Sequence, residues 1–258
     1  GQSDNGSTDA TGTSASFNKP YGITTDGTNL YVADYGNHRI RKIVISTGVV
    51  TTLAGSSQGS SDGTGTSASF DGPYDVTTDG TNLYVAESAE HKIRKIVIDN
   101  GTVTTLAGTG SQGNEDTAPG ISARFYRPQG ITTDGTNLYV ADYSNHRIRK
   151  IVIDNGTVTT LAGSSSGSTD NATGTSASFK KPRGIATDGT NLYVADDNHR
   201  IRKIVIDNGT VTTLAGSSSG LNEATGTSAL FDRPFGITTD GTNLYVADWD
   251  NHRIRKIE

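Results

Sequence analysis

The sequence predicts an all-β protein, a five-bladed β-propeller, from a long internal repeat, short β-favouring runs and regularly spaced turns. The eight residues Asp-Gly-Thr-Asn-Leu-Tyr-Val-Ala occur five times without change, starting at Asp26, Asp79, Asp134, Asp188 and Asp240. The intervals of 53, 55, 54 and 52 residues are typical of stacked supersecondary units. We expect a single domain over residues 1–258, with repeats of approximately 1–55, 56–108, 109–163, 164–216 and 217–258.

Each repeat opens with a polar loop that ends in one phenylalanine. These residues are Phe17, Phe70, Phe125, Phe179 and Phe231, and their spacing is that of the Asp-Gly turns. A polar loop with one apolar side chain at a fixed place is typical of an ordered surface loop pinned by that side chain. We therefore expect these loops to be ordered.

Four strands are predicted in each repeat. In the first repeat, strand A covers residues 22–25, strand B residues 29–33 and strand C about 39–45. The Asp26-Gly27 pair predicts the turn between A and B, because glycine takes a positive φ without penalty. An Asp-Asn-Gly hairpin then leads into strand D, as at residues 103–107. Strands B and C do not alternate cleanly between apolar and polar, which indicates that both sheet faces are covered, as in radially stacked blades.

The last repeat differs from the others at its end. The Val-Thr-Thr-Leu-Ala-Gly motif of strand D occurs four times and does not follow the fifth strand C. We expect the ring to close with a three-stranded last blade, the N-terminal loop to dock beside that blade through Phe17, and residues 253–257 to form an exposed edge. Since unpaired edges attract other strands, we expect either a monomer that dimerises weakly through this edge or a longer parent protein whose missing strand lies immediately outside this sequence.

Composition limits the partners. The net charge of −5 disfavours a general nucleic-acid-binding surface. No apolar run approaches the ~20 residues of a membrane span, and the absence of cysteine excludes disulfides and thiolate chemistry. We expect no nucleic acid, no membrane, no cofactor and no metal; the compartment is left open.

The segment Leu-Tyr-Val-Ala-Asp-Tyr-Gly-Asn-His-Arg-Ile-Arg-Lys-Ile at residues 30–43 resembles the signature of NHL-repeat proteins. The Asn-His-Arg-Ile core stands at residues 37–40, 145–148, 198–201 and 251–254, while the second repeat has Glu-His-Lys-Ile at residues 90–93. The resemblance implies the propeller fold. It leaves function open, because the family includes scaffolds, peptide binders, RNA binders and a zinc-dependent type of lyase.

The repeated polar residues favour structural interpretations over chemical ones. The five histidines occupy one equivalent position per repeat, so we expect each imidazole and its neighbouring asparagine to bond the loop between strands B and C. The cations of the type Arg39, Arg41 and Lys42 are expected on a solvated outer rim. The Asp-rich loops have oxygen donors, but their spacing does not match a calcium loop.

Positions that vary between copies are the candidates for ligand contact. One set follows the constant proline and the other follows the constant acid of strand B. Drift at tolerant surface sites would give the same pattern. The candidate ligand-binding residues are Tyr21, Tyr35, Tyr74, Gln129, Tyr143, Arg183, Phe235 and Trp249.

The functional hypothesis is a non-enzymatic binding or scaffold module for a protein, peptide or glycan. One alternative is a structural or engineered repeat propeller without a ligand. Another is a lyase or hydrolase with a site in the channel, although no Ser/His/Asp arrangement supports nucleophilic catalysis. No catalytic residue is assigned.

Overall fold

The computed structural model describes residues 5–258, and the regular elements of that part are strands and short 3-10 helices. The 21 strands form five antiparallel sheets, one for each repeat. The first four blades each contain strands A to D and the last contains three strands. The predicted five-bladed propeller with an incomplete last blade is therefore confirmed.

The strands are numbered in chain order. The first blade contains β1 Ala10–Thr11, β2 Pro20–Thr25, β3 Asn29–Asp34, β4 Arg39–Val44 and β5 Val49–Ala54. The second contains β6 Gly63–Thr64, β7 Pro73–Thr78, β8 Asn82–Glu87, β9 Lys92–Val97 and β10 Thr102–Ala107. The third contains β11 Pro128–Thr133, β12 Asn137–Asp142, β13 Arg147–Val152 and β14 Val158–Ala162. The fourth contains β15 Pro182–Thr187, β16 Asn191–Asp196, β17 Arg200–Val205 and β18 Val211–Ala215. The fifth contains β19 Pro234–Thr239, β20 Leu244–Asp248 and β21 Arg253–Ile257.

Seven 3-10 helices of three residues occur in the loops before strand A or after strand B. They are Gly12–Ser14, Tyr35–Asn37, Gly65–Ser67, Gly120–Ser122, Tyr143–Asn145, Gly174–Ser176 and Gly226–Ser228. In the first two blades the two-residue strand of the loop pairs with the outer strand, giving the orders β1-β5-β4-β3-β2 and β6-β10-β9-β8-β7.

The chain divides into two compact units, with the boundary between Ile131 and Thr132, within β11. In the first unit, Ile40 and Ala54 of the first blade share a core with Phe70 and Val76 of the second. In the second unit the same arrangement joins blades three and four, and a further cluster joins blades four and five. Both faces of a strand are thus covered inside each unit, which explains why strands B and C are apolar without clean alternation.

The phenylalanines act as the predicted anchors of the loops. Phe70, Phe125 and Phe179 are fully buried, and Phe231 nearly so. Burying a side chain of this size contributes roughly 1.5–3 kcal/mol. Phe17 is only half-buried.

The Asp-Gly turns repeat one hydrogen-bond pattern. One oxygen of Asp26 accepts from the backbone N–H groups of Thr28 and Asn29 at 2.8 and 2.6 Å. The other accepts from the Asn29 amide at 3.0 Å and the Tyr31 hydroxyl at 2.8 Å. Burial acts to raise the pKa of Asp26, but these bonds outweigh it and hold the pKa far below its ordinary value. Burial and the bond to Asp26 raise the pKa of Tyr31 to about 12. The polar groups of each turn therefore bond one another. The glycine has a positive φ, which is 87° at Gly27.

The middle arginine of each strand C is buried, which corrects the prediction that these cations are solvated. The buried set is Arg41, Arg94, Arg149, Arg202 and Arg255. In the first blade, Arg41 donates to Asp34 of β3 at 2.9 Å and to Asp9 of the loop at 2.6 Å. It also donates to two loop carbonyls and lies 4.9 Å from the centre of the Phe17 ring. The spacing of residues in the sequence could not predict this burial, because the acids that neutralise the guanidinium come from another strand and from a loop.

From residue 5 onward the N-terminal loop docks on its own, first blade, whereas we expected it to dock beside the last. Ala10 and Thr11 pair with Val50 and Val49 of β5. Asp9 accepts from the backbone N–H of Thr52 at 2.9 Å. The equivalent loops of the second and fourth repeats hold the arginines of their own blades in the same way. The loop is therefore the first element of its own repeat.

We predict that Arg202→Ala lowers the free energy of unfolding by about 3–5 kcal/mol, because it leaves the buried carboxylate of Asp196 without its cation. The matched control is Lys203→Ala, at the next, half-buried position of β17, which should change that free energy by less than about 0.5 kcal/mol. Urea unfolding of the three proteins measures both values. Equal losses in the two variants would contradict the buried network.

Candidate functional site

The candidate residues are presented by irregularities at the ends of strands A and B. The A–B ladders of the first, second, fourth and fifth blades shift register just after the proline, as between Pro20 and Ile23 in β2 and between Pro182 and Ile185 in β15. Such a bulge changes the direction in which the neighbouring side chain points. The second set follows the buried acid that ends strand B, where the chain leaves the sheet.

In the first unit the structure brings three of the candidates together, and we call them the tyrosine cluster: Tyr21, Tyr35 and Tyr74. Tyr21 stacks on Tyr74 with ring centres 4.7 Å apart and an interplanar angle of 17°. Tyr35 meets Tyr21 edge to face at 5.1 Å. Tyr21 is 44% exposed. The cluster is a packed aromatic surface with one well-exposed ring.

In the second unit four candidates form what we call the arginine–aromatic row: Tyr143, Arg183, Phe235 and Trp249. The Arg183 guanidinium lies 4.9 Å from the Tyr143 ring centre and 5.2 Å from that of Phe235. Phe235 and Trp249 are 5.1 Å apart. Asp197 accepts from Arg183 at 2.8 and 3.1 Å. Trp249, 54% exposed, ends the row.

Gln129 is the candidate that the structure does not place in either group. Its side chain is buried in β11, and its Oε1 has no hydrogen-bond partner among the described residues. Gln129 therefore belongs to neither aromatic group, and its assignment as a ligand-binding residue stays a prediction.

Asp75 is a further unusual residue, and the sequence analysis missed it. The second position after the proline is glycine in the other four repeats, at Gly22, Gly130, Gly184 and Gly236. The Asp75 carboxylate accepts from the backbone N–H of Ile131 at 3.0 Å and from that of Val76 at 2.9 Å. Burial raises its pKa to about 6, although these two bonds act to lower it. Comparing the copies at this position would have revealed the single carboxylate.

Three of the histidines connect consecutive repeats. All five have a positive φ, between 54° and 63°. The Nδ1 atom of His146 accepts from the backbone N–H of Lys181 in the next repeat at 3.0 Å, and His91 and His199 bond Arg127 and Arg233 in the same way. Burial lowers the pKa of His146, and the charge of Lys181 acts in the same direction, which keeps the imidazole neutral and able to accept. We expected a bond within the B–C loop, but these three reach the next blade.

The asparagine before the histidine bonds the acid of strand B. Asn37 donates to Asp34 at 2.8 Å and Asn251 to Asp248 at 2.9 Å. Asn37 also donates to the carbonyl of Gly6 in the loop. The Asn-His signature therefore joins the loop, strand B and the next blade.

Within residues 5–258, no group of three or more histidine or acidic side chains is arranged to hold a metal ion. In the same part of the chain, no helix has the length and apolar character needed to cross a membrane.

Comparison with known proteins agrees with this geometry. The model of the NHL repeat matches residues 17–43 and 125–151, which run from the loop phenylalanine to strand C in two repeats. These segments are NHL repeats, and the fold is that of an NHL-repeat β-propeller. It is 29% identical to human NHL repeat-containing protein 2 and 30% identical to protein SUPPRESSOR OF QUENCHING 1, chloroplastic, of Arabidopsis thaliana. Each match covers 95% of this chain, which spans 39% of the human protein and 25% of the plant protein.

Solved structures resemble this NHL propeller in fold. A chain of the nidogen/laminin complex superposes with a TM-score of 0.67 at 20% identity, over 93% of this chain and 75% of that chain. Catalytically inactive virginiamycin B lyase from Staphylococcus aureus with quinupristin gives a TM-score of 0.58 at 20% identity, over 92% of this chain and 65% of that one. At this identity the likeness concerns the fold alone.

We predict that His146→Ala lowers the free energy of unfolding of the NHL propeller by about 1–2 kcal/mol, because the Lys181 N–H loses its acceptor. The control is His252→Ala, which changes an exposed histidine with almost the same φ, so the backbone cost is common to both. The control should change the free energy by less than about 0.5 kcal/mol. Thermal or urea unfolding gives both values; equal effects would show that the link between blades contributes nothing.

We predict a pH-dependent contribution from Asp75. The folded pKa of about 6 lies above the unfolded value of about 3.9, so the folded state binds the proton more tightly. The contribution is complete below about pH 4 and is lost as the pH rises through about 6. The free energy of unfolding of the native protein minus that of Asp75→Gly should thus fall by about 2–3 kcal/mol between pH 4 and pH 7. A difference that does not change with pH would contradict it.

Proposed function

We propose that this NHL propeller is a non-enzymatic binding module that recognises a protein or peptide segment through its variable aromatic positions. The observation that carries the proposal is the arginine–aromatic row. Arg183, paired with Asp197, lies between the rings of Tyr143 and Phe235, and the exposed Trp249 ends the row. Aromatic residues and arginine are the side chains most often responsible for affinity at protein interfaces.

The row is organised before any ligand arrives. Asp197 fixes two nitrogens of Arg183, and the rings of Tyr143 and Phe235 hold its guanidinium plane. A side chain already held in one conformation loses little entropy on binding, which favours affinity. The tyrosine cluster of the first unit offers a second aromatic surface of the same origin.

The arrangement of the repeated residues also favours a binding module. Every aromatic candidate stands at a position that varies between copies, whereas the residues shared by the copies are occupied with hydrogen bonds inside and between blades. Variation is therefore concentrated where the scaffold places no demand on side-chain type.

The comparisons are consistent with this proposal. One neighbour in fold is a chain of the nidogen/laminin complex, a complex between proteins. The human relative extends far beyond the matched region, as expected for a propeller that serves as the binding part of a longer protein.

A channel-site lyase is the second candidate, favoured by the likeness in fold to virginiamycin B lyase. The histidines weigh against it here, since a catalytic centre needs unlike residues that converge. His91, His146 and His199 instead share one conformation and one kind of acceptor bond. We therefore prefer the binding module.

The test is a screen of peptide and glycan arrays with the native protein, followed by titration of the hits with Trp249 fluorescence or calorimetry. We expect peptide hits that lose at least tenfold in affinity in Trp249→Ala, about 1.4 kcal/mol or more. Phe235→Ala should lose a similar factor, because it removes the ring that supports Trp249.

The control variant is Ile121→Ala, which removes an equally exposed apolar side chain, 55% exposed, outside both aromatic groups. It should bind the hits as the native protein does. Hits that bind Trp249→Ala and Tyr143→Ala without loss would contradict the proposal, and hits confined to glycans would reassign the ligand class.

A further inference from the structure

The residue before the constant proline has a positive φ in every repeat. The angle lies between 49° and 62°, and glycine occupies the position only in the second repeat, at Gly72. A positive φ costs free energy for a residue with a Cβ atom, and lysine and arginine are not among the types enriched there. The other four residues are nevertheless basic, and all are exposed: Lys19, Arg127, Lys181 and Arg233.

The scaffold imposes this conformation through the backbone and not through the side chain. The N–H of Lys181 donates to His146 of the preceding repeat, and the equivalent bond is present in the third and fifth repeats. Glycine could donate the same N–H without backbone strain. The basic side chain is therefore not explained by the link between blades, and strained positions of this kind are often retained for function.

The charges at these positions are poorly balanced, unlike those of the buried arginines. Within residues 5–258, no carboxylate forms an ion pair with Lys19, Arg127 or Lys181. Arg233 pairs with Asp250 at 3.2 Å, but both residues are exposed, and an exposed pair contributes little. These cations are therefore available to a partner.

In the second unit the unbalanced charge lies beside the arginine–aromatic row. The Nζ atom of Lys181 is 5.6 Å from the centre of the Tyr143 ring, which the guanidinium of Arg183 also contacts. Burial lowers the pKa of His146, and the charge of Lys181 lowers it further, so Lys181 makes the electrostatic potential there more positive. Lys180, the preceding residue, is exposed as well. One end of the row is therefore basic.

The other end of the row has a cation at the equivalent position of the next blade. Arg233 reaches Asp250, which directly follows the exposed Trp249. The row thus combines apolar rings with a basic residue from each of the last two repeats. The chain as a whole carries a net charge of −5, so an acidic segment is repelled by most of the surface and attracted here.

We propose that the arginine–aromatic row binds an acidic peptide segment, whose carboxylates pair with Lys181 and Arg233 while its apolar side chains pack on Phe235 and Trp249. This inference rests on the proposed function and names the class of peptide that the site recognises. The rings supply most of the affinity, and the charges at the edge of the interface select the partner.

The test compares two labelled peptides of equal length, each titrated with the whole protein and followed by fluorescence anisotropy. The acidic peptide is Gly-Glu-Asp-Phe-Glu-Asp-Leu-Glu-Asp-Gly. In the amide peptide every Glu is replaced by Gln and every Asp by Asn, which keeps the shape and removes the charge. We expect the acidic peptide to bind at least about tenfold more tightly at low salt. The preference should decrease as salt is added, because salt screens exposed charges.

Protein variants assign the preference to the basic position. Lys181→Gly removes the charge where glycine adopts the backbone conformation without strain, as Gly72 does. It should weaken binding of the acidic peptide at least about fivefold, leave the amide peptide unaffected and leave the midpoint of urea unfolding nearly unchanged. Lys181→Arg keeps the charge and should retain the preference. The matched control is Lys203→Ala, which removes a cation that faces Tyr193 on β16, and it should bind both peptides as the native protein does.

The outcomes separate this inference from the proposed function. No saturable binding of the acidic peptide, equal affinity for the two peptides, or an unchanged preference in Lys181→Gly would overturn the inference. The proposed function would still stand if hits from the peptide array lose affinity in Trp249→Ala. An array without any peptide hit would contradict the proposed function and this inference with it. Tighter binding of a single-stranded oligonucleotide than of the acidic peptide would assign the cations to phosphate and overturn the inference.

Discussion

The buried arginine of strand C is the constraint on which each blade depends. A guanidinium without exposure is costly unless its charge is paired. The two terminal nitrogens of Arg41 bond Asp34, Asp9 and two loop carbonyls, while its Nε has no partner among the described residues. Because these groups belong to the loop and to two strands, the arginine fixes the loop against the sheet. The Phe17 ring then lies under the guanidinium and adds a cation–π contact.

The repeat signature follows from the same constraint. The acid of strand B takes the arginine with one oxygen and, with the other, the backbone N–H after the loop phenylalanine, as Asp34 does with Asn18 at 2.8 Å. Asparagine donates to the same acid, and histidine adopts the left-handed conformation that this residue type tolerates better than most. What the copies share is therefore explained by stability.

Residues that differ between copies, unlike the shared ones, stand where the scaffold accepts many side chains. Tyr143, Arg183 and Trp249 lie where the chain leaves a strand ladder. The contacts of Arg183 with Tyr143 and Phe235 join three blades of the same unit, and only folding brings these side chains together. Asp75 likewise stands where the other copies have glycine, and its carboxylate accepts a hydrogen bond from the backbone N–H of Ile131 in the third blade.

Local patterns repeated at a constant period were enough to predict the number of blades, the strands of each blade, the loop anchors and the incomplete last blade. Turn chemistry around Asp26 and Gly27 is similarly local, since all its partners lie within five residues. The sequence also selected the variable aromatic positions, although it could not arrange them into two groups.

The positions of the charges, and the blade that each loop joins, could not be predicted without the folded structure. Arg41 and Lys42 are neighbours and look alike as cations, yet only Arg41 reaches Asp34 and Asp9, and its burial depends on residues 7 and 32 positions away. The docking of the N-terminal loop on the first blade has the same origin. Long-range pairing of charges, unlike a turn or a strand, leaves no periodic signal in the chain that would assign partners.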